Sequence, residues 1–120
     1  MPITYQVKDW DGLFEIAQSR KCERLHWVAV PNKHDGGGYR RIARLPKATD
    51  IFTAWILILQ VASKQEHRGL LVKNKKPITA EDFADKTGYP AKIFELAFEV
   101  LSDPKIGWLE KVNGEQVESL

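Results

Sequence analysis

An α+β domain, mainly helical, is what this sequence predicts, and three observations in its second half carry most of that prediction. A short helix from Thr79 to Gly88 has both a start and a stop, a heavily apolar helix follows from Pro90 to Leu101, and an Asn113-Gly114 turn joins two extended runs. Helix, turn, helix and hairpin in that order describe a winged helix-turn-helix, here with an N-terminal helix/strand extension. The expected division is a single domain, with residues 1–48 as the extension and a Gly/Arg-rich loop, and 49–120 as the winged helix.

Within the extension, residues 8–20 place Trp10, Leu13, Phe14 and Ile16 or Ala17 on roughly one helical face, which predicts a short helix weakened by Gly12. Arg24 to Pro31 alternates loosely and is rich in the β-formers Trp27, Val28 and Val30, which predicts a strand ending near a sheet edge at the proline. Gly36 to Gly38 then precede Tyr39, Arg40 and Arg41. Two readings stand there. One is a flexible basic finger, in which glycines let backbone amides approach an anion and arginines hold phosphate; the other is a surface loop with solvated arginines. Without a preceding strand and a following Gly-Lys-Ser/Thr, the glycines do not make a nucleotide-binding loop. If Arg40, Arg41 and Arg44 fall on one helical turn, they form a compact positive spot.

Residues 49–64 predict the central helix, capped by Thr49 or Asp50 and apolar almost all round. Its main stripe is Phe52, Trp55, Ile56, Leu59 and Ala62 or Ser63, widened by Ile51, Ile58 and Val61. Gly69 to Val72 predicts a short strand that pairs with the hairpin at Ile106 to Val112, followed by the lysine-rich loop from Lys73 to Lys76. Thr79 supplies a capping hydroxyl for the next helix, Glu81 and Asp82 complement its dipole, and Gly88 ends it. Pro90 suits the first turn of the second helix, whose Ile93, Phe94, Ala97, Phe98, Val100 and Leu101 recur at helical spacing. After a break at Ser102-Asp103-Pro104 the chain alternates through Ile106, Trp108, Leu109 and Val112, turns at Asn113-Gly114 and returns through Val117.

Composition excludes several classes. At 43% hydrophobic and 28% charged, the chain has the balance of a globular domain, not a disordered one. Its longest apolar run, Ile51 to Ala62, is well under the roughly 20 residues of a membrane helix, so no membrane association is expected. The N-terminus is mixed and unlike a secretory signal, and the single cysteine, Cys22, permits no internal disulfide; both make the cytoplasm the expected location. A net charge of +2 is only mildly basic, so the distribution of charge carries more information than its sum.

The stretches RLHWVAVPNKHDGGGYRRIARL, DIFTAWILILQVASK, RGLL, TAEDFADKTG and IGWLE, from about Arg24 to Glu110, resemble the N-terminal winged-helix domain of phage replisome-organiser and replication-initiation proteins and related phage DNA-binding proteins. The resemblance implies binding of duplex DNA at a replication origin, sequence-specific or structural, often beside a C-terminal domain that recruits helicase machinery. A replication protein is then an expected partner, and a homodimer is a further expectation.

In the usual docking mode the second helix of the turn motif enters the major groove, and here Tyr89, Ala91, Lys92 and Glu95 stand near its start. Against that mode, Glu95, Glu99 and Asp103 recur every four residues as an acidic ridge that phosphate repels. Better DNA contacts are Lys73, Lys75, Lys76 and Lys86, joined by Lys92 along one edge, with Arg40, Arg41 and Arg44 as a second arm and Lys111 at the wing. Taken singly, each lysine is better explained as a solvated surface charge. The alternative is a nonenzymatic protein-interaction or dimerisation module that meets its partner through Glu95, Glu99 and Asp103. No enzyme, cofactor or metal is expected: His26, His34 and His67 are dispersed, and Cys22 with His26 lacks a second ligand pair. Asp9, Asp11 and Glu15 read as solvated helix caps, and Trp10, Trp27, Trp55 and Trp108 as core anchors unless one is exposed for base stacking.

Overall fold

A computed structural model describes residues 3–30 and 36–113. Its described elements are β1 (Thr4–Val7), α1 (Trp10–Leu13), α2 (Ala17–Arg20), α3 (Gly37–Ala43), α4 (Ala48–Ala62), β2 (Val72–Lys73), β3 (Lys76–Pro77), α5 (Ala80–Thr87), α6 (Ala91–Leu101) and β4 (Leu109–Val112). These make a mainly helical α+β architecture with two small antiparallel sheets, β1–β4 and β2–β3.

The core lies where α4, α5 and α6 meet. Ile51, Ala54, Trp55, Ile58, Leu59 and Ala62 form the buried side of α4; Phe94, Ala97, Phe98 and Leu101 form that of α6. Phe83 of α5 stacks on Phe94 at 4.9 Å between ring centroids and meets Phe98 edge-on at 5.8 Å. These aromatic contacts join α5 and α6, two helices too short to persist alone. The buried face of α4 is rotated from the expected stripe: Phe52 and Ile56 are half-buried, whereas Ile51 and Ile58 are buried completely. A helix apolar on nearly every side has no polar face to fix its rotation, so its neighbours decide which residues point inward. Its N-cap is Lys47, not Thr49 or Asp50.

The helix of the turn motif forms as its local signals require. Thr79 Oγ1 accepts from Asp82 N–H at 3.2 Å, and the Asp82 carboxylate accepts from Thr79 N–H at 2.9 Å, a reciprocal cap. Gly88 closes α5 with φ +80°, a left-handed position that favours glycine. Pro90 is the N-cap of α6, one residue before its first turn.

The sheet departs from the expected pairing. β4 pairs with β1, Thr4 opposite Val112 and Val7 opposite Leu109, and not with the segment at Gly69 to Val72. That segment borders the other edge of β1: Leu71 N–H donates to Tyr5 O at 2.9 Å and Val7 N–H to Gly69 O at 2.7 Å. The unforeseen N-terminal strand thus sits between the two elements expected to pair. Thr4, buried, ties it down by donating its hydroxyl to Leu71 O at 2.7 Å.

Two further expectations fail in the extension. Residues 8–20 form two single-turn helices, and Leu13 and Ile16 are exposed, because the chain breaks between them to bury Glu15. Residues 24–30 form no strand: Trp27 and Val30 are exposed, and only Val28 packs against the core. β-Propensity is a preference for a pleated, half-buried surface, and this segment has no strand beside it. The expected Asn113-Gly114 turn and the return through Val117 lie outside the described residues, as does His34.

Candidate nucleic-acid interface

The lysine-rich stretch is a tight hairpin instead of a loop. β2 and β3 pair Val72 with Pro77 and Lys73 with Lys76, and the two turn residues, Asn74 and Lys75, have φ of 53° and 62°. Two positive φ values are what a type I′ turn demands, and asparagine followed by glycine is its favoured pair. Lysine at the second position adopts a left-handed backbone that costs about 1–2 kcal/mol relative to glycine. Lys73 and Lys76, directly opposite one another, add like-charge repulsion across the strands. Both choices work against the hairpin's own stability while concentrating positive charge on it.

This hairpin faces α5 across a groove that also holds Lys86 from the last turn of that helix. The structure therefore brings Lys73, Lys76 and Lys86 together, with Lys75 at the adjoining tip, all exposed. Asp82 and Asp85 share the groove, and one Asp82 oxygen is occupied by the Thr79 cap. Lys92 is not on this edge. It lines a different groove on α6 with Lys47, Asp50, Glu95 and Glu99. Tyr89 is exposed just before α6, and Lys111 is exposed on β4 opposite Tyr5.

The arginine arm takes another form from the finger considered above. Gly37 and Gly38 open α3, which carries Arg40 and Arg41 and ends at Arg44. A Cβ at Gly38 would stand 2.6 Å from Trp108 Nε1, so the glycine there admits the indole. Glycine, Tyr39, Phe14, Trp55 and Trp108 line one cleft of about 290 Å³. Arg41 and Arg44 instead flank a groove against α6 whose other charged groups are Glu99, Asp103 and Lys105. The acidic ridge and the arginines are neighbours, so their fields oppose one another at that face.

Glu15 is the residue that sequence reasoning placed most wrongly. Its carboxylate is buried; Trp10 Nε1 and Ser19 Oγ donate to its two oxygens at 2.5 and 2.7 Å, and Arg68 Nε lies 3.5 Å away. Its two donors, Trp10 and Ser19, are local, but Arg68 is remote in sequence and no local pattern marks the burial that joins them. The donors occupy both oxygens, which makes this a structural node joining α1, α2 and the chain after α4. Among the described residues no cluster of three or more His, Cys, Asp or Glu side chains is arranged to hold a metal ion, and no helix is long and apolar enough to cross a membrane.

Fold and surface together define a mainly helical α+β protein with a lysine hairpin beside its central helix pair. Compared with models of protein families, with curated proteins and with solved structures, the chain matches none.

Proposed function

We propose that this is a nonenzymatic DNA-binding protein on a winged helix-turn-helix scaffold, which grips the duplex backbone through Lys73, Lys75, Lys76 and Lys86. The carrying observation is the hairpin itself, where Lys75 holds a left-handed backbone and Lys73 faces Lys76. Local choices that cost stability and agree in charge are best explained by a polyanion that neutralises them. The helix order α4, α5, α6 followed by β4 supports the scaffold, and the resemblance described above supports a role in phage DNA replication or its regulation. On this reading the hairpin contacts phosphate, while α6, with Glu95 and Glu99 exposed, does not lie deep in the major groove.

One specific observation favours a second reading. The groove between α3 and α6 is lined by charges of both signs and by Leu45, Val100 and Ile106, a composition suited to a protein partner. Binding of duplex DNA at about 50 mM salt separates the two. Lys75→Glu/Lys76→Glu weakens it most under the first reading and Arg40→Glu/Arg41→Glu weakens it less; a parent protein that binds no duplex leaves the protein-partner reading.

A further inference from the structure

Trp27 is accounted for neither by the core nor by the lysine hairpin. The other tryptophans are anchored: Trp10 stacks on Phe14, and Trp55 and Trp108 lie 5.1 Å apart between ring centroids. Trp27 is 67% exposed and meets no other ring among the described residues. Its backbone is nevertheless tethered on both sides. Arg68 Nη2 donates to Cys22 O at 2.5 Å before it, and Val28 packs against the core after it. Lys21, Arg24 and His26 are exposed along the same segment, with Glu23 as the opposing charge.

We propose that Trp27, with Lys21 and Arg24, is a stacking site for an unpaired base of single-stranded DNA. The inference rests on the DNA-binding reading and extends it to a strand whose bases are accessible. An indole face accepts any base, and neighbouring cations neutralise the phosphates on either side of it. A paired duplex conceals its base faces, so this site discriminates between strand states where phosphate-contacting lysines do not. A second copy of the chain would also cover the indole; a polyanion is favoured because Lys21 and Arg24 outnumber Glu23 among the exposed charges of this segment.

The test uses fluorescence anisotropy with an oligo-dT strand of about 20 nucleotides and a blunt duplex of equal length, for the parent, Trp27→Ala, Trp27→Phe and Lys75→Glu/Lys76→Glu. Trp27→Ala is expected to weaken oligo-dT binding by about five- to a hundredfold, Trp27→Phe by much less, and neither to change duplex affinity by more than about twofold. Retained binding by the phenylalanine variant excludes a folding defect at this position. A parent that does not bind oligo-dT overturns the proposal. So does Trp27→Ala binding it as the parent does, or a parent dimer that Trp27→Ala dissociates while strand affinity stays constant. If duplex binding proves insensitive to Lys75→Glu/Lys76→Glu while Trp27-dependent strand binding persists, the hairpin assignment fails and the stacking site stands.

Discussion

Replacing Lys75 by glycine separates what the hairpin costs from what it does. Lys75 holds φ 62° beside Asn74 at 53°. Relief of the left-handed Cβ returns about 1–2 kcal/mol, and the greater freedom of glycine in the unfolded chain takes back about 0.4–1 kcal/mol. Lys75→Gly is therefore expected to stabilise the protein by about 0.5–1 kcal/mol. Unfolding entropy of about 2.1 cal/mol/K per residue gives about 250 cal/mol/K for this chain, so the melting temperature rises by about 2–4 °C. The same substitution removes one charge from the proposed DNA-contacting edge and is expected to reduce the magnitude of the salt slope of duplex binding by about 0.9. Scanning calorimetry reads the first effect and a salt titration the second. Lys75→Ala is the control, since it removes the charge but keeps a Cβ in the left-handed position. A lower melting temperature for Lys75→Gly, or an equal rise for Lys75→Ala, refutes the account of strain at this turn.

Other expectations follow from buried groups. Arg68→Met leaves the Glu15 carboxylate in the interior without its guanidinium, and a loss of about 3 kcal/mol is expected in urea unfolding; an unchanged midpoint contradicts the structural role given to that pair. Burial, and then the nearby Glu99 carboxylate, hold the Tyr5 hydroxyl above its ordinary value of 10.0. The folded state therefore keeps this proton longer than the unfolded chain does. The stability contributed is full below about pH 10 and is lost as pH rises from there through the folded value. Glu99→Gln should lower the Tyr5 transition in a spectrophotometric titration and leave that of Tyr39, raised by burial, where it was. Equal movement of both tyrosines contradicts the assignment to Glu99.

How far each element could be read from sequence follows the distance over which its cause acts. The Thr79 cap, the Gly88 stop and the apolar face of α6 depend on residues within a few positions, and each forms where its signal stands. β1 depends on Val112 and Leu109, about a hundred positions away, and its four residues carry too little pattern to declare a partner. Arg24 to Val30 failed for the converse reason: its β-formers have the propensity but no neighbouring strand. Lys73, Lys76 and Lys86 share one groove because hairpin and helix are adjacent in sequence, whereas α6 carries Lys92 to another. Glycine at 38 reads as flexibility in a sequence and is the gap that admits Trp108 in the fold.

On the proposed reading, the lysine hairpin is how a protein with a net charge of only +2 meets DNA. Arg41 and Arg44 share their groove with Glu99 and Asp103, while the hairpin carries Lys73, Lys75 and Lys76 with no acid of its own. Local excess, and not the total, sets the field a nearby phosphate experiences within a Debye length of about 10 Å at 0.1 M salt.

The most direct test is the salt dependence of duplex binding by the parent protein. Neutralisation of phosphates by Lys73, Lys75, Lys76 and Lys86 predicts a slope of about −3.6 in log K against log salt, reduced to about −1.8 for Lys75→Glu/Lys76→Glu. A slope near zero, or a double variant whose slope equals that of the parent, contradicts the claim that this hairpin is the DNA-contacting edge.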